Sequence, residues 1–130
     1  MFLRFVTTDV HQESHQALGI FHAAGRLRDR GSLSPDEEDL LREIRGWFDE
    51  NLKKPTRFTS ARPPYSRKRQ DGISWFKDSA REHLSKIHEM VILLKHHDVG
   101  VRMIRTGRPG YILDEGDFQI VAVPFADSDI

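Results

Sequence analysis

The sequence predicts an α+β domain in which three helices pack on a mainly antiparallel sheet of four to five strands, in the order β-α-α-loop-β-α-β-β-β. Three observations lead there. Apolar residues recur at helical spacing in three segments, centred on Ile20-Ala24, Leu41-Ile44-Phe48 and Ile87-Val91-Leu94. Aromatic and β-branched runs open the chain and fill its last quarter. Turn residues separate those runs, and residues 53–72 carry neither period.

Residues 2–7 form the first predicted strand, with Leu3 and Phe5 on one face. A helix is expected from His11 to Arg30, with a stripe of Ala17, Ile20, Phe21, Ala24 and Leu27. Gly31 ends it, because glycine enters the left-handed region without a Cβ clash. The second helix has the sharpest start. In Ser34-Pro35-Asp36-Glu37 the serine caps, the proline occupies a position that needs no donor, and Glu37 closes a capping box. Asp36, Glu37, Glu38 and Asp39 also suit the positive end of the helix dipole. Its apolar side is Leu40, Leu41, Ile44, Trp47, Phe48 and Leu52, and Pro55 closes the segment.

Residues 73–76 make a short strand. Ser79-Ala80-Arg81-Glu82 reads as a second capping box and opens the longest helix, to about His97. Its stripe is Ala80, Leu84, Ile87, Val91 and Leu94, widened by Met90 and by Ile92 or Leu93, and Gly100 ends the element. Strands follow at 101–106, 111–113 and 118–123, with a turn at 107–110 and a hairpin loop at 114–117. Pro124 stops the last strand and 126–130 is a tail, so one domain spans 1–125.

A chain of 130 residues buries roughly two-thirds of the surface its unfolded form exposes, enough for one core without a staple. There is no cysteine, which removes disulfides, thiolate metal sites and cysteine nucleophiles together. The opening apolar run is too short for a signal peptide, and no stretch approaches the ~20 apolar residues that span a bilayer. The expected setting is cytoplasmic, with no membrane partner. The 20 basic and 20 acidic residues cancel, so no global field steers the chain toward nucleic acid or membrane.

The local distribution is uneven. Residues 36–50 hold seven acids against Arg42 and Arg45, and residues 53–69 hold seven bases (Lys53, Lys54, Arg57, Arg62, Arg67, Lys68 and Arg69) with no acid. Phe58 and Tyr65 lie among those bases, a pattern able to follow a phosphate backbone while aromatic faces stack on bases. Against this stands a solvated loop whose charge offsets the acidic helix beside it. The candidate binding residues are Arg57, Arg62, Tyr65, Arg67, Lys68 and Arg69, with Lys77 at the start of a helix where an anion is favoured. Nucleic acid, an acidic protein and a second copy of the chain are the partner classes this allows.

No metal or other cofactor is expected. His11, His15 and His22 share a side of the first predicted helix, but that side faces water and His22 lies two turns from His15. Asp114, Glu115 and Asp117 surround a hairpin glycine and lack the alternation of a calcium loop. Trp47, Phe48, Trp75 and Phe76 read as core aromatics. Glycine-rich phosphate loops, nucleophile elbows and His-Glu-x-x-His motifs are missing. An enzyme would have to assemble charged groups from the sheet, such as Arg4, Lys77, Arg105, Tyr111 and Glu115, and the same groups serve equally in a structural ion pair.

Several segments look familiar. Gly19-Ile20-Phe21-His22-Ala23-Ala24, Trp47-Phe48-Asp49-Glu50-Asn51-Leu52 with Pro55 and Arg57-Phe58, and Trp75-Phe76-Lys77 resemble a family of short uncharacterised bacterial proteins. The run from Arg108-Pro109-Gly110-Tyr111-Ile112 through Gln119-Ile120-Val121-Ala122 to Pro124-Phe125 does so too. The resemblance covers most of the chain except 59–71. It implies a bacterial source, brings no functional residue with it, and suggests that the basic loop is peculiar to this chain. The function expected is therefore a small binding or interaction protein. The alternatives are a homo-oligomeric module and a small cofactor-free enzyme.

Overall fold

A computed structural model describes residues 1–10, 17–52 and 72–125. Along them run β1 (Phe2–Val10), β2 (Ala17–Gly19), α1 (Ile20–Asp29), α2 (Pro35–Asn51), β3 (Ile73–Lys77), α3 (Arg81–His96), β4 (Val101–Thr106), β5 (Tyr111–Glu115) and β6 (Gln119–Val123). Three helices and an antiparallel sheet make the α+β class that the sequence predicts, with the element order kept and the short β2 added. The strands pair in the order β2-β1-β3-β6-β5, and β4 pairs β1. No described helix is long and apolar enough to cross a membrane.

The capping box of α2 forms as its residues dictate. Glu37 N–H donates to Ser34 Oγ at 3.2 Å, and Ser34 N–H donates to Glu37 Oε1 at 2.9 Å. The helix expected over 11–30 is shorter. Ala17–Gly19 pairs with β1, at Val6↔Gly19 and Val10↔Ala17, so helical backbone begins only at Ile20. α1 has no side-chain cap and no acid in its first turn, so nothing local outweighs the ladder bonds of β2. His11 and His15 lie outside the described residues, and His22 is exposed on α1.

The α3 expectation needs three corrections. The helix starts at Arg81, placing Ala80 rather than Ser79 at the residue before it, so the second capping box is out of register. Its buried residues are His83, Ile87, Met90, Leu93 and Leu94, while Leu84 and Val91 are only partly buried and Ile92 is exposed. A histidine holds the core position expected of Leu84. Asp98 (φ 58°), not Gly100, takes the left-handed step that ends the helix.

Contacts gather in two compact units. The first contains residues 1–4, 72–81 and 104–125 among those described. There β3 pairs β1 (Phe2↔Lys77, Leu3↔Phe76) and β6 (Ile73↔Ala122, Trp75↔Ile120). Trp75, Ile120 and Ala122 form its core cluster, with Phe2, Ile73 and Ile104 packed against it. All five residues of β6 are buried, as befits a strand flanked by β3 and β5. The second unit contains 5–10, 17–52 and 82–103 among those described, and buries Val6, Ile20, Ala24, Leu41, Ile44, Phe48, Ile87, Met90 and Leu94. Phe21 meets Phe48 edge-on at 5.1 Å.

Two left-handed positions predict opposite effects. Gly110 (φ 134°) has no room for a Cβ against the Val123 carbonyl, so Gly110→Ala should lower stability by at least about 1–3 kcal/mol in denaturant melts. Asp98→Gly relieves backbone strain and should raise stability by up to about 1 kcal/mol in the same assay.

Candidate anion-binding cleft

Two mid-helix glycines, each unfavourable by roughly 0.5–1 kcal/mol relative to alanine, point to the same place in the helical unit. A Cβ on Gly25 would stand 3.0 Å from Arg45 Nη2. With none there, the Arg45 guanidinium reaches the α1 backbone, and Nη2 donates to the Phe21 carbonyl at 2.9 Å. Gly46, the residue after Arg45, has nothing within 4 Å of where a Cβ would be. It borders open space.

That space is a cleft of about 360 Å³. Arg28 of α1 lines one side, and α2 contributes Glu38, Leu41, Arg42, Arg45, Gly46 and Asp49. The α2 residues recur at helical spacing, so they fall on one stripe. The lining carries three guanidiniums and two carboxylates, and two further carboxylates pair with two of the guanidiniums. Arg42 Nη1 donates to Asp39 at 3.0 Å and Arg28 Nε to Asp29 at 3.3 Å, but both pairs are exposed and hold little energy. Each guanidinium has five N–H donors, so these single bonds leave others to serve a ligand.

Arg45 differs from its neighbours. It is partly buried, and its Nε has no hydrogen-bond partner among the described residues. Burial lowers its pKa, the Arg28 charge lowers it further, and Asp29 and Asp49 oppose the shift. That Nε is also closed to solvent, so its unfilled donor is a cost to the fold, and contacts to a ligand fall to the other guanidinium N–H groups.

None of the described residues singled out from sequence lines this cleft. Arg57, Arg62, Tyr65, Arg67, Lys68 and Arg69 fall outside the described residues. Lys77 is engaged: its Nζ donates to Glu115 Oε2 at 2.9 Å, so the ion pair considered for the strand residues joins these two. Arg4 is partly buried, with its pKa lowered by burial, and Arg105 is exposed. Tyr111 stands exposed against the Phe125 ring at 4.7 Å, and the Arg108 guanidinium covers Phe125 at 4.6 Å. The sequence reading passed over Arg28, Arg42 and Arg45, counting the last two only as exceptions in an acidic block. The signal that could have found them was the pair of helix-weakening glycines, one of them adjacent to Arg45.

Glu37 links the capping box to α3. Its Oε2 meets His97 Nε2 at 2.8 Å while Oε1 holds Ser34 N–H. The Ser34 backbone bond, then the His97 bond, keep the carboxyl below its ordinary range. No protein-family model, curated protein or solved structure matches the chain.

Gly46→Ala should raise stability by about 0.5–1 kcal/mol, because a methyl group there meets only open space. Gly25→Ala should fail to gain this amount, since its methyl group must displace Arg45 from Phe21; paired chemical melts test the contrast. Glu37 adds stability above the ordinary glutamate pKa of about 4.3, and loses it as pH falls through its lower folded value. The stability gap between wild type and Glu37→Gln should therefore be widest near neutrality and shrink below about pH 4.3, read from melting temperature against pH.

Proposed function

We propose that this chain is a cofactor-free binding protein whose partner is anionic. The cleft between α1 and α2 carries the reading: a partly buried guanidinium anchored to backbone stands beside two further arginines from two helices. Cation placement of this kind favours an incoming oxyanion, because arginine is always charged and its fork matches carboxylate and phosphate geometry. The charge pattern of the sequence supports the same class of partner. Residues 53–69 carry seven bases and no acid, with Phe58 and Tyr65 among them, so nucleic acid and an acidic protein both suit that segment. With no cysteine to call for an oxidising compartment, the cytosol is the proposed setting.

A homo-oligomeric module is the second reading, favoured by β5. It stands at the end of the pairing path, and Tyr111 and Ile112 on it are 66% and 49% exposed. An edge strand carrying exposed apolar side chains is a surface that another chain can pair with.

Titration of a labelled oligonucleotide and of polyglutamate across a salt series tests the first reading. Affinity for one of them should fall steeply with salt. If the oligonucleotide is the ligand, neutralising Arg67, Lys68 and Arg69 together should remove roughly 40-fold of the loss seen over a fourfold rise in salt, from a slope of about 0.9 per phosphate. Absent or salt-independent binding of both probes would sink this reading. Light scattering decides the second: a mass that rises with concentration is expected of a self-pairing chain, and a monomer at high concentration removes it.

A further inference from the structure

We propose that the cleft between α1 and α2 is a carboxylate pocket, in which Arg45 holds the carboxylate and Glu38 and Asp49 receive hydrogen-bond donors carried beside it. The inference rests on the anionic-partner reading and narrows it to one chemistry. Three features of the site lead to it. Arg45 lines the cleft and is anchored through Nη2 to the Phe21 carbonyl, which fixes the plane of its guanidinium. A planar carboxylate fits the planar fork of a guanidinium side by side. A monoanion suits this lining better than a phosphate dianion, which would face Glu38 and Asp49 while Asp29 and Asp39 already pair Arg28 and Arg42.

The two carboxylates give the pocket its second requirement. They accept but cannot donate, so a group bound near them must offer N–H or O–H. A bare fatty or aromatic acid does not meet this need, and a carboxylate beside an ammonium, amide N–H or hydroxyl does. The volume of about 360 Å³ suits a small molecule or one side chain, not a helix or a duplex backbone. Two sources can bring the same chemistry: a free amino or hydroxy acid, or an acidic residue of a protein partner together with its peptide N–H.

The whole chain is titrated calorimetrically at constant ionic strength with three probes: free glutamate, a short glutamate-containing peptide and inorganic phosphate. Saturable binding of a carboxylate probe, at least tenfold tighter than phosphate, is expected. Equal affinity for glutamate and peptide assigns a free acid, and tighter peptide binding assigns a protein side chain. Arg45→Met, which keeps an unbranched apolar stem without the charge, should weaken the carboxylate probe at least tenfold. Gly46→Leu fills the cleft without touching the Arg45 anchor, and should do the same even if the arginine variant fails to fold. Phosphate binding as tightly as the carboxylates, no saturation by either carboxylate probe, or unchanged affinity in Gly46→Leu would each overturn the proposal. Salt-dependent oligonucleotide or polyglutamate binding that survives in Gly46→Leu, with small-probe binding absent in wild type, refutes the pocket alone. Loss of all anion binding by wild type refutes the broader reading as well.

Discussion

The hydrogen bond from Arg45 to the Phe21 carbonyl organises the surface between the first two helices. Removing a guanidinium from water is expensive, and one neutral carbonyl returns only part of that cost. The arrangement holds because α1 presents no side chain at Gly25, so the charged group lies directly on backbone. From that anchor the rest of the cleft follows. Arg42 and Asp49 stand one turn to either side along α2, Arg28 approaches from α1, and Gly46 leaves the floor uncovered. Leu41 and Ile44, both buried, keep the same helix fixed to its core.

Charge is managed differently in the sheet unit. Lys77 at the end of β3 is spent on Glu115 at the end of β5, across the intervening β6. With one partner largely exposed, the bridge is worth at most about 1 kcal/mol and serves better as a device for register than for stability. Its consequence is functional. A lysine committed in this way is a poorer anion receptor than an arginine, which keeps further N–H donors after one bond is made.

Much of this architecture was legible in the residues. Ser34, Pro35 and Glu37 announce α2 because capping is local chemistry, readable without knowledge of the fold. The late strands and their turns followed for the same reason. What failed was tertiary. Ala17 to Gly19 carries part of a helical stripe, yet pairing with β1 decides its conformation. Asp98 replaced Gly100 as the left-handed residue because several polar residues tolerate that region and the sequence does not say which is needed. The cleft was hidden because arginines on different helices have no spacing in common. Only the glycines hinted at it, and their cost to a helix was visible while their purpose was not.

The burial of His83 has an outcome beyond packing. Asn51 is the last residue of α2, so its carbonyl is among those a helix leaves without a partner, and His83 Nε2 lies 2.8 Å from it. A carbonyl can only accept, so that nitrogen carries the hydrogen and donates to it. The ring thus closes the end of one helix from within another, wedged against Trp47 at 4.8 Å. The Glu37–His97 contact at the opposite end of α2 relies instead on an ionised carboxylate. Acidity strong enough to protonate Glu37, below the ordinary carboxylate range, should therefore loosen this helix from its beginning, a loss that amide exchange along α2 would render visible.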